Sequence, residues 1–237
     1  MKHDDRQSKH YPKYAGFYLW LAMLCLLAFP AAAQKYNFIN FTVENGLAQS
    51  QVTSFAQNSD NELLVGTYGG LSIFDGSNFV NYNKSNGLPQ NLIKVIGYDQ
   101  QQNIWLGTNN GICRYDGKQF KTYYPSAKAE ENVVQQIECD AEGTVWAFVS
   151  NALYRFDGKK FIEERKTDTI TALTLDPSGK LWAVAYAKGI YIFNKKQWKR
   201  EVDLSTDPTL YIEKMDFGTY SGSLYTFGNR GLEVMES

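Results

Sequence analysis

At 237 residues, with 43% hydrophobic and 21% charged side chains, the chain is long enough for one large or two small domains and too apolar to stay unfolded. Its 24 Lys+Arg stand against 25 Asp+Glu with no basic run to neutralise a phosphate backbone, which excludes nucleic acid as a partner. One apolar stretch is long enough to concern a membrane, and it lies at the N-terminus.

Residues 1–14 carry Lys2, Arg6, Lys9 and Lys13, residues 15–29 carry no charge, and Pro30 followed by Ala31-Ala32-Ala33 gives a small-residue cleavage site before Gln34. This predicts a secretory signal peptide over 1–33. The apolar run of about 15 residues is short of the ~20 that a spanning helix needs, so no membrane insertion is expected after cleavage. Leu24 before Cys25 is too large for a lipidation site, and residues 34–237 are expected in the periplasm or otherwise exported. Cleavage also removes His3 and His10, the only two histidines, which excludes imidazole catalysis, phosphotransfer and ligation from the mature domain. Cys113 and Cys139 match no metal spacing. They read as separate small buried side chains, with a disulfide as the alternative that export allows. No metal and no cofactor are expected.

The remaining sequence repeats. Asn45-Gly46-Leu47 recurs 41 residues on as Asn86-Gly87-Leu88, and Asp75-Gly76, Asp116-Gly117 and Asp157-Gly158 keep the same step of 41. Leu64, Trp105 and Trp146 do so too, and Trp182 follows after 36 because one connection is shorter. Units are expected near 45–85, 86–129, 130–168, 169–210 and, more weakly, 211–237. In the second unit, four short β-prone stretches (92–99, 103–108, 111–116 and 119–124) are bounded by turn residues. The last of these turns is Asp116-Gly117, whose glycine tolerates the positive φ of a tight hairpin. Two hairpins in series make a four-stranded antiparallel sheet that cannot bury its faces alone. Radial stacking solves this, so the predicted fold class is all-β, a β-propeller of about five four-stranded blades. Residues 36–44 match the outermost strand of the other units, and the last unit stops before its own. That phase allows 36–44 to complete a closing blade in a five-blade ring, or marks the chain as a fragment of a larger propeller.

The units resemble the two-component regulator propeller repeat, which runs roughly N-G-L-S-x-N-x-V, D-x-x-G-x-L-W-x-G-T and G-L-x-x-x-D-G. Its residues are Asn45-Gly46-Leu47 with Gln49 and Val52, Asn86-Gly87-Leu88 with Asn91, Trp105-Leu106-Gly107-Thr108, and Gly70-Leu71 through Asp75-Gly76. The third unit departs from the pattern, with Trp146-Ala147-Phe148-Val149 in place of W-x-G-T, and in the fifth no such motif survives. The resemblance implies an exported sensor propeller of the kind common in Bacteroidetes, usually seven blades or two such rings, preceding a β-sandwich, a transmembrane helix and a histidine kinase. It implies a glycan or glycan fragment as signal, read out through dimer geometry, with a sensor histidine kinase or self-association as partner. Five units are fewer than that family leads one to expect, which favours the fragment.

In a propeller, the loops between second and third strands share a face with the connections between blades. On that face the loops differ from unit to unit, whereas the opposite face has templated turns, so binding is expected on the variable face. There the candidate ligand residues are Tyr68, Asn109, Asn110, Tyr186, Lys188, Asn229 and Arg230, with Ser150 and Asn151 at the equivalent place in the third unit. Amides satisfy hydroxyls and rings stack on C–H faces, the mixture a small polar ligand such as an oligosaccharide uses. Asn beside Gly is also what a positive-φ turn selects, which competes with the ligand reading for the asparagines. Trp105, Trp146 and Trp182 read as core, Asp75, Asp116 and Asp157 as turn residues, and Asp99, Asp140 and Asp176 as caps of the following hairpin. No catalytic constellation is found. The function expected is a ligand-sensing module, not an enzyme, with a protein-interaction scaffold and, behind it, a propeller hydrolase or lyase as alternatives.

Overall fold

In a computed structural model, Tyr14, Phe17, Trp20 and residues 38–165, 169–194, 197–218 and 223–235 are described. The chain divides into two units, Met1–Asn40 and Phe41–Ser237. In the first, Phe17 and Trp20 are helical and solvent-exposed, and Phe38 and Ile39 are exposed without regular secondary structure. The expected signal peptide and its cleavage site lie almost entirely outside the described residues.

The second unit consists of consecutive antiparallel sheets in simple up-and-down order. The first holds β1 (Val52–Gln57), β2 (Leu63–Thr67), β3 (Leu71–Phe74) and β4 (Phe79–Tyr82). The second holds β5 (Ile93–Tyr98), β6 (Ile104–Thr108), β7 (Gly111–Tyr115) and β8 (Phe120–Tyr123). The third holds β9 (Val134–Cys139), β10 (Val145–Val149), β11 (Ala152–Phe156) and β12 (Phe161–Arg165). The fourth holds β13 (Ile170–Leu175), β14 (Leu181–Ala185), β15 (Gly189–Asn194) and β16 (Gln197–Asp203). The fifth has three strands, β17 (Ile212–Phe217), β18 (Leu224–Gly228) and β19 (Gly231–Met235). The strands expected in the second unit are all present, trimmed by one residue at several of their ends.

First strands lie side by side, β1 against β5, β5 against β9, β9 against β13 and β13 against β17. Apolar clusters fill the spaces between blades: Leu64, Leu71, Ile104 and Leu106 between the first pair, and Trp105, Val134 and Ala147 between the second. Trp146, Leu173 and Leu181 fill the third space, and Val184, Ile212 and Met215 the fourth. Among the described residues, no contact of that extent joins β17 back to β1, and residues 38–42 carry no strand. The closing strand expected over 36–44 is therefore not formed where it is described. Instead, Phe41 packs on Phe74 and Phe79, with ring centroids 4.9 and 5.6 Å away. Thr42 and Asn45 then turn the chain through a reciprocal capping box.

The repeated motifs have local physical causes. Each Asp-Gly turn is tied by its carboxylate: Asp75 Oδ1 accepts from the backbone N–H of Ser77 and Asn78, both at 2.7 Å, and Asp116 and Asp157 do the same in their turns. Those backbone bonds hold the Asp75, Asp116 and Asp157 carboxyls below their ordinary range. In Asn-Gly-Leu, Asn86 Oδ1 accepts from the Asn83 N–H, Gly87 takes the left-handed conformation at φ 109°, and Leu88 is buried. Trp105 and Trp146 are core, as expected, Trp182 is half-buried against the fourth cluster, and all three are bolted to the capping aspartates. Trp105 Nε1 donates to Asp99 Oδ2 at 3.0 Å, Trp146 to Asp140 at 2.8 Å and Trp182 to Asp176 at 3.1 Å. Each indole also meets an aromatic ring of the next blade, Phe156, Phe193 and Phe217 in turn. The glycine of W-x-G-T is set by close approach: a Cβ on Gly107 would lie 2.4 Å from Val95 and 2.6 Å from Val134 of the next blade. Cys113 and Cys139 are both free thiols.

Candidate functional site

The variable loops share one face, held there by backbone bonds to the connections between blades: Tyr68 to Gln51, Ser150 to Val133, Tyr186 to Thr169 and Asn229 to Tyr211. Of the residues expected to bind, four gather around the Asp207–Thr209 loop or flank it. The Tyr186 hydroxyl donates to the Pro208 carbonyl, the Asn229 amide bridges Thr209 O and Tyr211 N, and Arg230 pairs with Asp207. Lys188 is exposed next to them, its carbonyl accepting from Leu204 N. Asn109 and Asn110 sit in the β6–β7 turn, their N–H groups on Gln90 Oε1 and Thr108 Oγ1, and Tyr68 is half exposed on the first blade. In those turns the positive φ falls on Gly70, Gly111 and Gly231, so backbone conformation does not require the adjacent asparagines. Asn151, at φ 75°, is the exception.

A cavity of about 660 Å³ on the third blade is lined by none of those seven residues. Its walls are polar: Ser126 and Lys128 from the β8–β9 connection, Ser150 and Asn151 from the β10–β11 turn, Tyr154 on β11 and Glu163 on β12. It occupies positions where the repeat is broken. The places of Asn86-Gly87-Leu88 are taken by Ala127-Lys128-Ala129, so the buried leucine anchor of the first two units is missing. In the first unit the equivalents of Tyr154 and Glu163 are Ser72 and Asn81, which clamp that loop by hydrogen bonds to Ala48 N and Gly46 O. Val149, also in the wall, replaces the Thr67 and Thr108 whose hydroxyls tie their own turns, and the third turn instead puts both Ser150 and Asn151 at positive φ.

Two ionic features set the cavity's charge. Lys128 and Glu131 pair at 2.7 Å, and Ser126 Oγ donates to the same carboxylate at 2.7 Å. Glu131 is thereby held below its ordinary value, first by the Lys128 hydrogen bond, and Lys128 is raised by it. The Tyr154 hydroxyl is pushed up by burial first and then by the charges of Glu163 and Glu131, so it stays a donor. The cavity thus offers hydroxyl, amide, ammonium and carboxylate groups with an aromatic wall. The signal that could have found it was already visible as the third unit's departure from W-x-G-T. Among the described residues no group of three or more acidic, cysteine or histidine side chains gathers to hold a metal, and no helix is long and apolar enough to cross a membrane.

The blade order, interblade packing and loop face define a β-propeller array. Residues 87–110 match the model of the two component regulator propeller family, so the chain carries that repeat. No curated protein matches. The solved structures it is similar to include the extracellular domain of a Bacteroides thetaiotaomicron protein described as a hybrid two component system, BT3049 (TM-score 0.65, 21% identity, 84% of this chain and 30% of that one). Another is that of BT4673 from the same organism (TM-score 0.62, 23% identity, 79% and 27%). A third is a catalytically inactive virginiamycin B lyase from Staphylococcus aureus with quinupristin (TM-score 0.62, 14% identity, 85% and 74%). The chain spans less than a third of the length of the two extracellular domains.

Proposed function

We propose that the chain is the ligand-sensing propeller of an exported two-component regulatory protein, and that it binds a small polar ligand, an oligosaccharide, in the cavity of the third blade. The observation that carries the reading is that this cavity coincides with the positions at which the third unit breaks the pattern kept by the first two. Its wall combines donors and acceptors for hydroxyls with a ring for a C–H face. The repeat and the likeness to extracellular domains support the sensory role, with a histidine kinase or self-association carrying the signal onward. The lyase likeness is weaker support for catalysis, since residues 34–237 contain no histidine. A scaffold reading draws on Phe227, Leu232 and Val234, exposed together on the last blade.

Thermal unfolding with a panel of oligosaccharides tests the proposal. A ligand at about 100 times its Kd adds about 2.7 kcal/mol, which in a chain of this size raises Tm by roughly 5–10 °C. Asn151→Gly keeps the left-handed backbone and removes the amide, and should abolish the shift without lowering the unliganded Tm. No shift with any sugar, or a shift untouched by Asn151→Gly and Glu163→Gln, rejects the site.

A further inference from the structure

A second polar cavity lies on the inner strands, where the repeat makes its chemistry easy to read. In each blade one residue of the first strand stands opposite the tryptophan position of the second: Ala56 opposite Leu64, Gly97 opposite Trp105, Glu138 opposite Trp146, Thr174 opposite Trp182 and Asp216 opposite Tyr225. Two residues earlier the same strands carry Ser54, Val95, Gln136, Ala172 and Lys214. Small or apolar side chains in the first two blades thus give way, except at Ala172, to carboxyl, hydroxyl, amide and ammonium groups in the last three. Glu138, Thr174, Asp216, Gln136 and Lys214 line one cavity of about 350 Å³. It adjoins another of about 320 Å³ that shares Gln136 and Lys214 and is walled by Phe148, the residue standing where Gly66 and Gly107 stand in earlier blades.

The Gln136 amide is already committed, donating to Glu138 Oε1 at 2.9 Å and to the Leu173 carbonyl of the next blade. This fixes the Glu138 carboxyl in the cavity wall. Burial pushes that carboxyl up to about 7, against the lowering effect of the Gln136 hydrogen bond and helped by the charge of Asp216. The charged groups lining the cavity with it are Lys214 and Asp216 of β17, while Thr174 of β13 contributes a hydroxyl. Nothing in apolar packing calls for two carboxyls on strands two blades apart at one register level. A primary ammonium has three donors and no acceptor, and Glu138, Thr174 and Asp216 present three acceptors at that level. The Gln136 side-chain oxygen and Lys214, one strand repeat away at about 6–7 Å, suit hydroxyl groups on the remainder of the ligand.

We propose that this inner cavity is a second binding site, separate from the loop-face cavity, and that it takes a small hydroxylated amine, the chemistry of an amino sugar. Ammonium binding favours the ionised Glu138, so one proton leaves the carboxyl for solvent when the amine enters at a pH below about 7.

Isothermal titration of the full chain with 1-amino-1-deoxysorbitol, against sorbitol as its neutral counterpart, tests this. The amine should bind at pH 8 and sorbitol at least tenfold more weakly. Affinity should fall about tenfold between pH 8 and pH 6 with uptake of the released proton by buffer. Glu138→Gln and Asp216→Asn, on different strands, should each weaken the amine at least tenfold, so misfolding of one leaves the other informative. Equal binding of amine and sorbitol, no heat with the amine, or unchanged affinity in both variants overturns the proposal. Glu163→Gln, at a residue that lines the loop-face cavity and neither inner one, should leave amine binding intact, which separates this site from the loop-face cavity.

Discussion

Replacing Asp140 with alanine tests the bolt between capping aspartate and blade tryptophan. Asp140 is 5% exposed and its carboxylate serves two donors, Trp146 Nε1 at 2.8 Å on Oδ2 and Thr144 N at 2.8 Å on Oδ1. Trp146 is fully buried, so in the variant its indole N–H finds neither aspartate nor water. An orphaned buried donor costs about 1–3 kcal/mol. The half-buried Thr144 N–H adds less, and the whole loss is about 2–5 kcal/mol. At roughly 2–4 °C per kcal/mol for a chain of this size, Tm should drop by about 4–20 °C. Asp140→Asn retains one acceptor oxygen and should lose about half as much. Asp157→Ala serves as the contrast: that carboxylate also accepts two backbone N–H groups at 2.8 Å, but in an exposed turn where water replaces it. Thermal unfolding followed by tryptophan fluorescence reads both. Equal shifts for Asp140→Ala and Asp157→Ala, or none for Asp140→Ala, refute the argument that burial of the indole gives the bolt its value.

Gly107→Ala places a methyl 2.4 Å from Val95 and 2.6 Å from Val134, wedging the second blade from the third, and should cost about 1–3 kcal/mol by denaturant unfolding; an unchanged midpoint would mean the blades slide apart freely. Stability should also fall with rising pH through Glu138. Its folded value of about 7 exceeds the ordinary 4.5, so the native state holds the extra proton between those limits. Its contribution is complete below pH 4.5 and lost as pH passes 7, at most about 3 kcal/mol, and Glu138→Gln should flatten that part of the profile.

The fold was legible because a repeat writes each structural requirement several times. Asp-Gly, Asn-Gly-Leu and the tryptophan step each solve a local problem, namely a positive φ, a capped turn with an anchor, or a filled interblade gap, and the same solution recurs at the same spacing. The sequence did not reveal that Asp140 and Trp146 are partners, since six residues apart on opposite sides of a hairpin means contact only once the hairpin is formed. Nor did it reveal the fate of residues 38–42, because a strand-like stretch becomes a strand only if an edge is there to receive it.

Sites are harder to read for the opposite reason. Tyr68, Asn109, Asn110, Tyr186, Lys188, Asn229 and Arg230 were singled out for their chemistry and their loop position, but side-chain partners decide availability. Asn229 spends its amide on Thr209 and Tyr211, and Arg230 its guanidinium on Asp207. The two polar cavities were instead marked by what the repeat failed to keep: Ala129 for a leucine anchor, Phe148 for a glycine, and Glu138 and Asp216 where Ala56 and Gly97 stand. In a protein built from copies of one blade, packing holds each position to a common residue type. A carboxyl at a level where a glycine or alanine serves two other blades therefore bears a desolvation cost that the fold does not demand, and binding is the gain that the inner cavity offers in return.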